Sequence, residues 1–179
     1  MEQLAMKWKG TSADVMPTGS GIIIRTFEPG DTDGLIEALV PLHEKIMTYD
    51  ELDKIILKHD GVYPEGIFLA IIGQKIVGTT TAYFNNTPGD SSAPVSGTLH
   101  MVSVLPEANG RKLGRMLCGR AMDYLVRHGC SEIVLTTDDH RLPAIKTYLS
   151  LGFEPIINDG DADMRARWDA VMASLQLKS

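Results

Sequence analysis

Residues 97–115 read GTLHMVSVLPEANGRKLGR, alternating in character as far as Val104 and then breaking at Pro106. Period-two alternation is the pattern of a strand. Beyond the break, Gly110 and Gly114 stand among Arg111, Lys112 and Arg115. Leu113, Met116, Leu117, Ala121, Tyr124 and Leu125 then keep helical spacing as far as Gly129. The stretch is therefore strand, glycine-loosened basic turn, helix. A turn of that kind offers backbone N–H groups and local positive charge to an anion. The chain as a whole is acidic, with a formal net charge of −6, so this basic turn runs against the general balance.

Working outward, GIIIRTFE is a strand and EPGDTDG a turn leading into a helix that carries Leu35, Ile36, Leu39 and Val40 before Pro41 interrupts it. Thr48 and Glu51 form a capping box ahead of Leu52, Ile55 and Ile56. GIFLAIIGQKIVGTTTAYF is a β-hairpin about Gly73–Gln74, and NNTPGDSSAP is loop. After the central stretch, SEIVLTT is a buried strand. DDHRLPAIKTYLSLG is a helix with Asp138 or Asp139 as its cap, Pro143 in its first turn and Gly152 at its exit. FEPII is a last strand. A terminal amphipathic helix carries Met164, Trp168, Val171, Met172 and Leu175, a stripe expected to pack on its own domain and, secondarily, to serve a homodimer. Residues 1–20 read as a mostly irregular N-terminal arm and 21–179 as one domain. Antiparallel strands followed by βα crossovers predict an α/β fold of the α+β type, a mixed, largely antiparallel sheet flanked by helices.

Composition narrows the function classes. A chain of 179 residues with 44% hydrophobic and 22% charged content fits one globular domain. The acidic balance argues against a nucleic-acid partner, and no apolar run reaches membrane-spanning length, so a cytoplasmic protein is expected. Cys118 and Cys130 lack histidine companions at ligand spacing and read as packing residues. The DDH run at 138–140 reads as helix capping rather than a metal site, because adjacent residues rarely converge on one ion.

The basic turn fits neither G-x-x-x-x-G-K-[ST] nor G-x-G-x-x-G. The stretch V-x-V-x-P-x-x-N-G-x-x-L-G-x-x-L, with Ala144, Tyr148, Gly152 and Phe153 spaced A-x-x-x-Y-x-x-x-G-F downstream, instead resembles the GNAT superfamily of N-acetyltransferases. The resemblance covers roughly residues 21–157. It departs from the family pattern at Asn109, where Arg or Gln is usual, at Lys112, where Gly or Ala is usual, and at Arg141, where Asn is usual. The resemblance implies acetyl-CoA as co-substrate, held through its pyrophosphate by Asn109, Gly110, Arg111, Lys112, Leu113, Gly114 and Arg115, with Val102 and Val104 alongside. It implies an oxyanion donor among the backbone N–H groups of Met101–Val104, and Tyr148 as the acid that protonates the departing thiolate.

Acyl transfer to an amine also needs the attacking nitrogen to be neutral. His100, on the strand before the loop, is a base candidate of suitable ordinary pKa and by alternation shares a face with Val102 and Val104. An ordinary strand histidine is the alternative reading of His100, and a water chain with no dedicated base also stays open. His43, Glu44 and Asp139 are weaker candidates. Between residues 43 and 65 carboxylates outnumber lysines, which favours a cationic small-molecule or peptide amine as acceptor. The expected activity is N-acetyl transfer; the alternatives are an acyl-CoA-binding sensor and an interaction protein using the Trp168 helix.

Overall fold

A computed structural model describes residues 2–43, 46–86 and 95–176, and Glu44 and most of the loop after Asn86 lie outside these. The chain begins with a departure from expectation. Residues 4–9, LAMKWK, form strand β1 (Leu4–Lys9). Leu4, Met6 and Trp8 point inward, 0%, 0% and 8% exposed, while Lys9 stays outside. The irregular composition starts only at Gly10, so the three-residue apolar alternation ahead of it was the overlooked signal.

The remaining elements follow the expected order: β2 (Ile22–Thr26), α1 (Thr32–Leu39), α2 (Tyr49–Leu52), β3 (Val62–Ile72), β4 (Lys75–Phe84), β5 (Ser96–Val104), α3 (Leu113–Arg127), β6 (Glu132–Thr137), α4 (Leu142–Ser150), β7 (Glu154–Pro155) and α5 (Ala162–Gln176). The Thr48–Glu51 capping box is present in both directions. After it α2 runs on as a π-helical turn over Asp53–Leu57. Gly73, at φ 63°, turns the β3–β4 hairpin in a conformation that only glycine adopts cheaply.

The seven strands lie in the order β2-β3-β4-β5-β6-β1-β7. All neighbours are antiparallel except β5 and β6. Helices cover both faces. On one, Leu35, Leu39, Leu52 and Ile56 of α1 and the α2 region close over Ile67, Leu69 and Ile71. On the other, α3, α4 and α5 bury Leu117, Leu125, Ile145, Phe153 and Trp168 against Leu4, Met6, Leu99 and Ile133. Trp168 is 2% exposed beside Met164 and Val171, so the α5 stripe packs on its own chain; only Met172 is substantially open. The guanidinium of Arg167 clamps α5 to Asp139 at 2.5 Å. Cys118 and Cys130 are free, buried thiols.

One local expectation needs correcting. Neither Asp138 nor Asp139 caps α4, whose N-cap is Arg141 without a side-chain cap bond. The helix starts one turn later, and both carboxylates are taken elsewhere, Asp138 by Gln3 and Arg141 and Asp139 by Arg167.

Candidate active site

The site is made by two irregularities in β5. The first is a bulge. Ser103 pairs with Thr79 and His100 with Thr81, so β5 spends three residues where β4 spends two. Met101 absorbs the extra residue at φ 51°, a left-handed conformation rare for a non-glycine and costly by about 1–2 kcal/mol. The second is a parting of strands. β5 pairs with β6 only from Ser96↔Glu132 to Thr98↔Val134, leaving Leu99–Val104 without a β6 partner.

The bulge also corrects the reading of His100. Simple alternation put His100 on one face with Val102 and Val104. The extra residue resets the phase, so Val102 and Val104 pack on the α3 side. His100 and Met101 turn to the α1–α2 side, where the His100 ring lies 5.8 Å from Tyr83 and 6.3 Å from His59.

On the α3 side lies a cleft of about 770 Å³ between the start of α3, α4 and the parted end of β5. Of the residues expected there, Val102, Val104, Asn109, Gly110, Lys112, Leu113, Gly114 and Arg115 line it, and Arg111 does not. Gly110 and Lys112 take φ of 79° and 60°, which explains why a small residue would be easier at Lys112. Lys112 is the N-cap of α3 and provides no side-chain cap, so its side chain takes up none of the first-turn N–H groups. A Cβ on Gly114 would meet nothing within 4 Å, leaving room for a ligand to approach the backbone.

Arg115 is held by the protein itself. It donates to the Ser150 hydroxyl at 2.6 Å and carbonyl at 3.0 Å, and pairs with Asp14 at 2.6 Å. That clamp ties α3 to α4 and to the N-terminal segment, whose Asp14 carbonyl would sit 2.6 Å from any Cβ on Gly119. Met16 of this segment and Lys146 of α4 line the cleft unanticipated. Lys146 was legible two places before Tyr148; Met16 carried no sequence signal.

A second cleft, of about 610 Å³, opens on the other face, lined by His43, Tyr83, Thr98, His100, Asp138 and Arg141 among others. Val102 and Tyr148 line both clefts, so the two meet where β5 and β6 part. Tyr148 is 5% exposed, and among the described residues its hydroxyl makes no hydrogen bond. Burial, helped by nearby Cys118, drives its phenol well above the ordinary range, while Arg141 partly opposes this. His100 moves the other way: burial first, then His59 and His43, push its imidazole down to about 4, so it is neutral at pH 7. Burial raises the Cys118 thiol to about 12 and Cys130 to about 11, which suits neither as a nucleophile. Among the described residues no group of three or more His, Cys, Asp or Glu could hold a metal, and no helix is long and apolar enough to cross a membrane.

Residues 35–153 match the family described as "Acetyltransferase (GNAT) family". The chain belongs to the GNAT acetyltransferase family. Among GNAT relatives, a mycothiol acetyltransferase of Catenulispora acidiphila is 30% identical over 151 residues, covering 79% of this chain and 47% of the relative. One of Nocardia farcinica is 28% identical over 140 residues, covering 75% and 46%. The chain thus spans about half the length of the curated relatives it matches. In fold it superposes on a GCN5-related N-acetyltransferase from Sphaerobacter thermophilus with a TM-score of 0.68 at 23% identity, covering 86% of this chain and 48% of that one.

Proposed function

We propose that the protein transfers an acetyl group from acetyl-CoA directly to a primary amine of a small molecule. The observation that carries this is the meeting of two clefts, on opposite faces of the sheet, at Val102 and Tyr148. One cleft has the features of a pyrophosphate site: an uncapped helix start, an open Gly114, and the ammonium groups of Lys112 and Lys146. The other admits the acceptor. Relatives named mycothiol acetyltransferase support a small-molecule acceptor over a protein.

In this reading the thioester carbonyl lies at the junction, and a backbone N–H of the Met101–Val104 bulge faces the charge that develops on its oxygen. His100, kept uncharged chiefly by burial, accepts the amine proton, directly or through water, as the nitrogen bonds to carbon and its proton becomes acidic. Tyr148 donates to the departing sulfur. Its raised pKa means the phenol is not acidified in advance. The same burial makes a leaving thiolate more basic, so donor and acceptor rise together. Both cysteines of the chain are held protonated by burial, which supports direct attack over a thiol-bound intermediate.

The test is a panel of amines and aminoacyl amides, incubated with acetyl-CoA and followed by thiol release. Amine-dependent release supports transfer. Tight acetyl-CoA binding with no release for any amine would instead make the protein a sensor.

A further inference from the structure

The acceptor cleft does not end at His100. Tyr83 also lines a third hollow, of about 340 Å³, with His59, Asp60, Tyr63, Asn85 and Asn86. The rings of His59, Tyr83 and His100 form one continuous run, with centroids 4.7 Å apart for His59–Tyr83 and 5.8 Å for Tyr83–His100. An acceptor whose nitrogen reaches Val102 and Tyr148 would extend along this run into the hollow.

The chemistry of that hollow differs from the cleft leading to it. In the acceptor cleft the Asp138 carboxylate is already taken by Gln3 and Arg141. In the hollow Asp60 is exposed, and among the described residues its carboxylate has no hydrogen bond or ion pair. No lysine or arginine is among the lining residues described. Tyr63 is 46% exposed and Tyr83 half-buried, and both rings line the hollow with Asp60. Asn85 is held by Thr98 and Ser96, which fixes that wall. A free carboxylate beside two tyrosine rings, in a hollow whose described lining holds His59 but no lysine or arginine, is an arrangement that selects a positive charge. The net charge of −6 draws such a ligand in from a distance.

We infer that the hollow bounded by Asp60, Tyr63 and Tyr83 is a distal subsite for a second, cationic group of the acceptor. The acceptor class is therefore an amine that carries another positive charge some distance from the acetylated nitrogen. Its reach follows from the sheet: Thr98, the partner of Tyr83, lies four residues from Val102 on β5, one of them taken up by the Met101 bulge, or roughly 10 Å at the usual strand rise. This rests on the transferase reading for the nitrogen's position, while the subsite itself is a binding claim.

The experiment separates the two. Spermidine, a linear polycation, and propylamine, a monoamine, are titrated by calorimetry into the protein saturated with CoA, for wild type and Asp60→Asn. Asp60 is exposed, so the variant keeps the fold. The subsite predicts that spermidine binds wild type more tightly than propylamine does, and that Asp60→Asn weakens spermidine by about threefold to tenfold. The ratio of spermidine to propylamine kcat/KM should fall by the same factor. Equal spermidine affinity in the two proteins, or no preference over propylamine in wild type, overturns the inference. Asp60-dependent spermidine binding without CoA release for any amine upholds the subsite and removes the transferase reading alone.

Discussion

His100 makes the fold sensitive to acid in a way that can be calculated. Its imidazole is held at about 4 in the folded protein against an ordinary 6.5, through burial and the nearby His59 and His43. A lowered histidine pKa means that the unfolded chain binds a proton the folded chain refuses. Stability is therefore complete above about 6.5, falls as pH drops from there to about 4, and then levels off for this group. The gap of about 2.5 units, at about 1.36 kcal/mol each, is worth about 3 kcal/mol. Asp31 and Asp139, whose carboxyls are held low by Arg25 and Arg167, also lose their contribution as the medium becomes acid. They are unaltered by a change at His100, so a difference measurement cancels them. In His100→Gln the titrating group is gone while a polar, uncharged side chain remains. Urea unfolding of both proteins between pH 4 and 7.5 is the assay. The stability of wild type relative to the variant should decline by about 3 kcal/mol across that range, most steeply between pH 6 and 4.5. Parallel curves would show that His100 is neither buried nor held neutral, and would remove the reason for offering it as the base.

Three further substitutions probe other parts. Gly114→Glu places a carboxylate in open space at the α3 start and should abolish most of the rise in Tm that saturating acetyl-CoA gives wild type, about 2.7 kcal/mol at a hundred times Kd; an undiminished shift would move the cofactor elsewhere. Tyr148→Phe removes a hydroxyl that bonds nothing among the described residues, so stability and acetyl-CoA affinity should hold while kcat falls roughly 10²–10⁴-fold; wild-type turnover, with chemistry rate-limiting, would dismiss Tyr148 as the acid. Trp168→Ala should cost about 3–5 kcal/mol in chemical denaturation, because the ring is buried in the main core; a loss below about 1 kcal/mol would contradict that packing.

The strands, helices and caps that depend on local chemistry could be read from the sequence: the Thr48–Glu51 box, the Gly73 turn, the Gly152 exit of α4. The glycine-loosened basic turn ahead of α3 could be read too, since Gly110, Gly114 and the α3 stripe lie together in the chain. What stayed hidden depends on long-range geometry. Nothing in LHMVSV marks Met101 as left-handed, because glycine is the residue that signals that conformation. The bulge it makes decides which face His100 occupies. β1 was hidden by the irregular residues that follow it, although Leu4, Met6 and Trp8 alternate as in a strand. The loss of Arg115 to Ser150 and Asp14 was equally invisible, because those partners lie 35 and 101 residues away.

The central claim is that amine and thioester meet directly between Val102 and Tyr148, with no protein nucleophile between them. Single-turnover transfer tests this most closely: protein in excess over acetyl-CoA labelled in its acetyl group, an accepted amine added, and the label followed by mass spectrometry in quenched samples. Label should leave the thioester only when amine is present and appear on its nitrogen, one for each CoA released. Label accumulating on the protein before the amine is added, at Cys118, Cys130 or any other side chain, would contradict it.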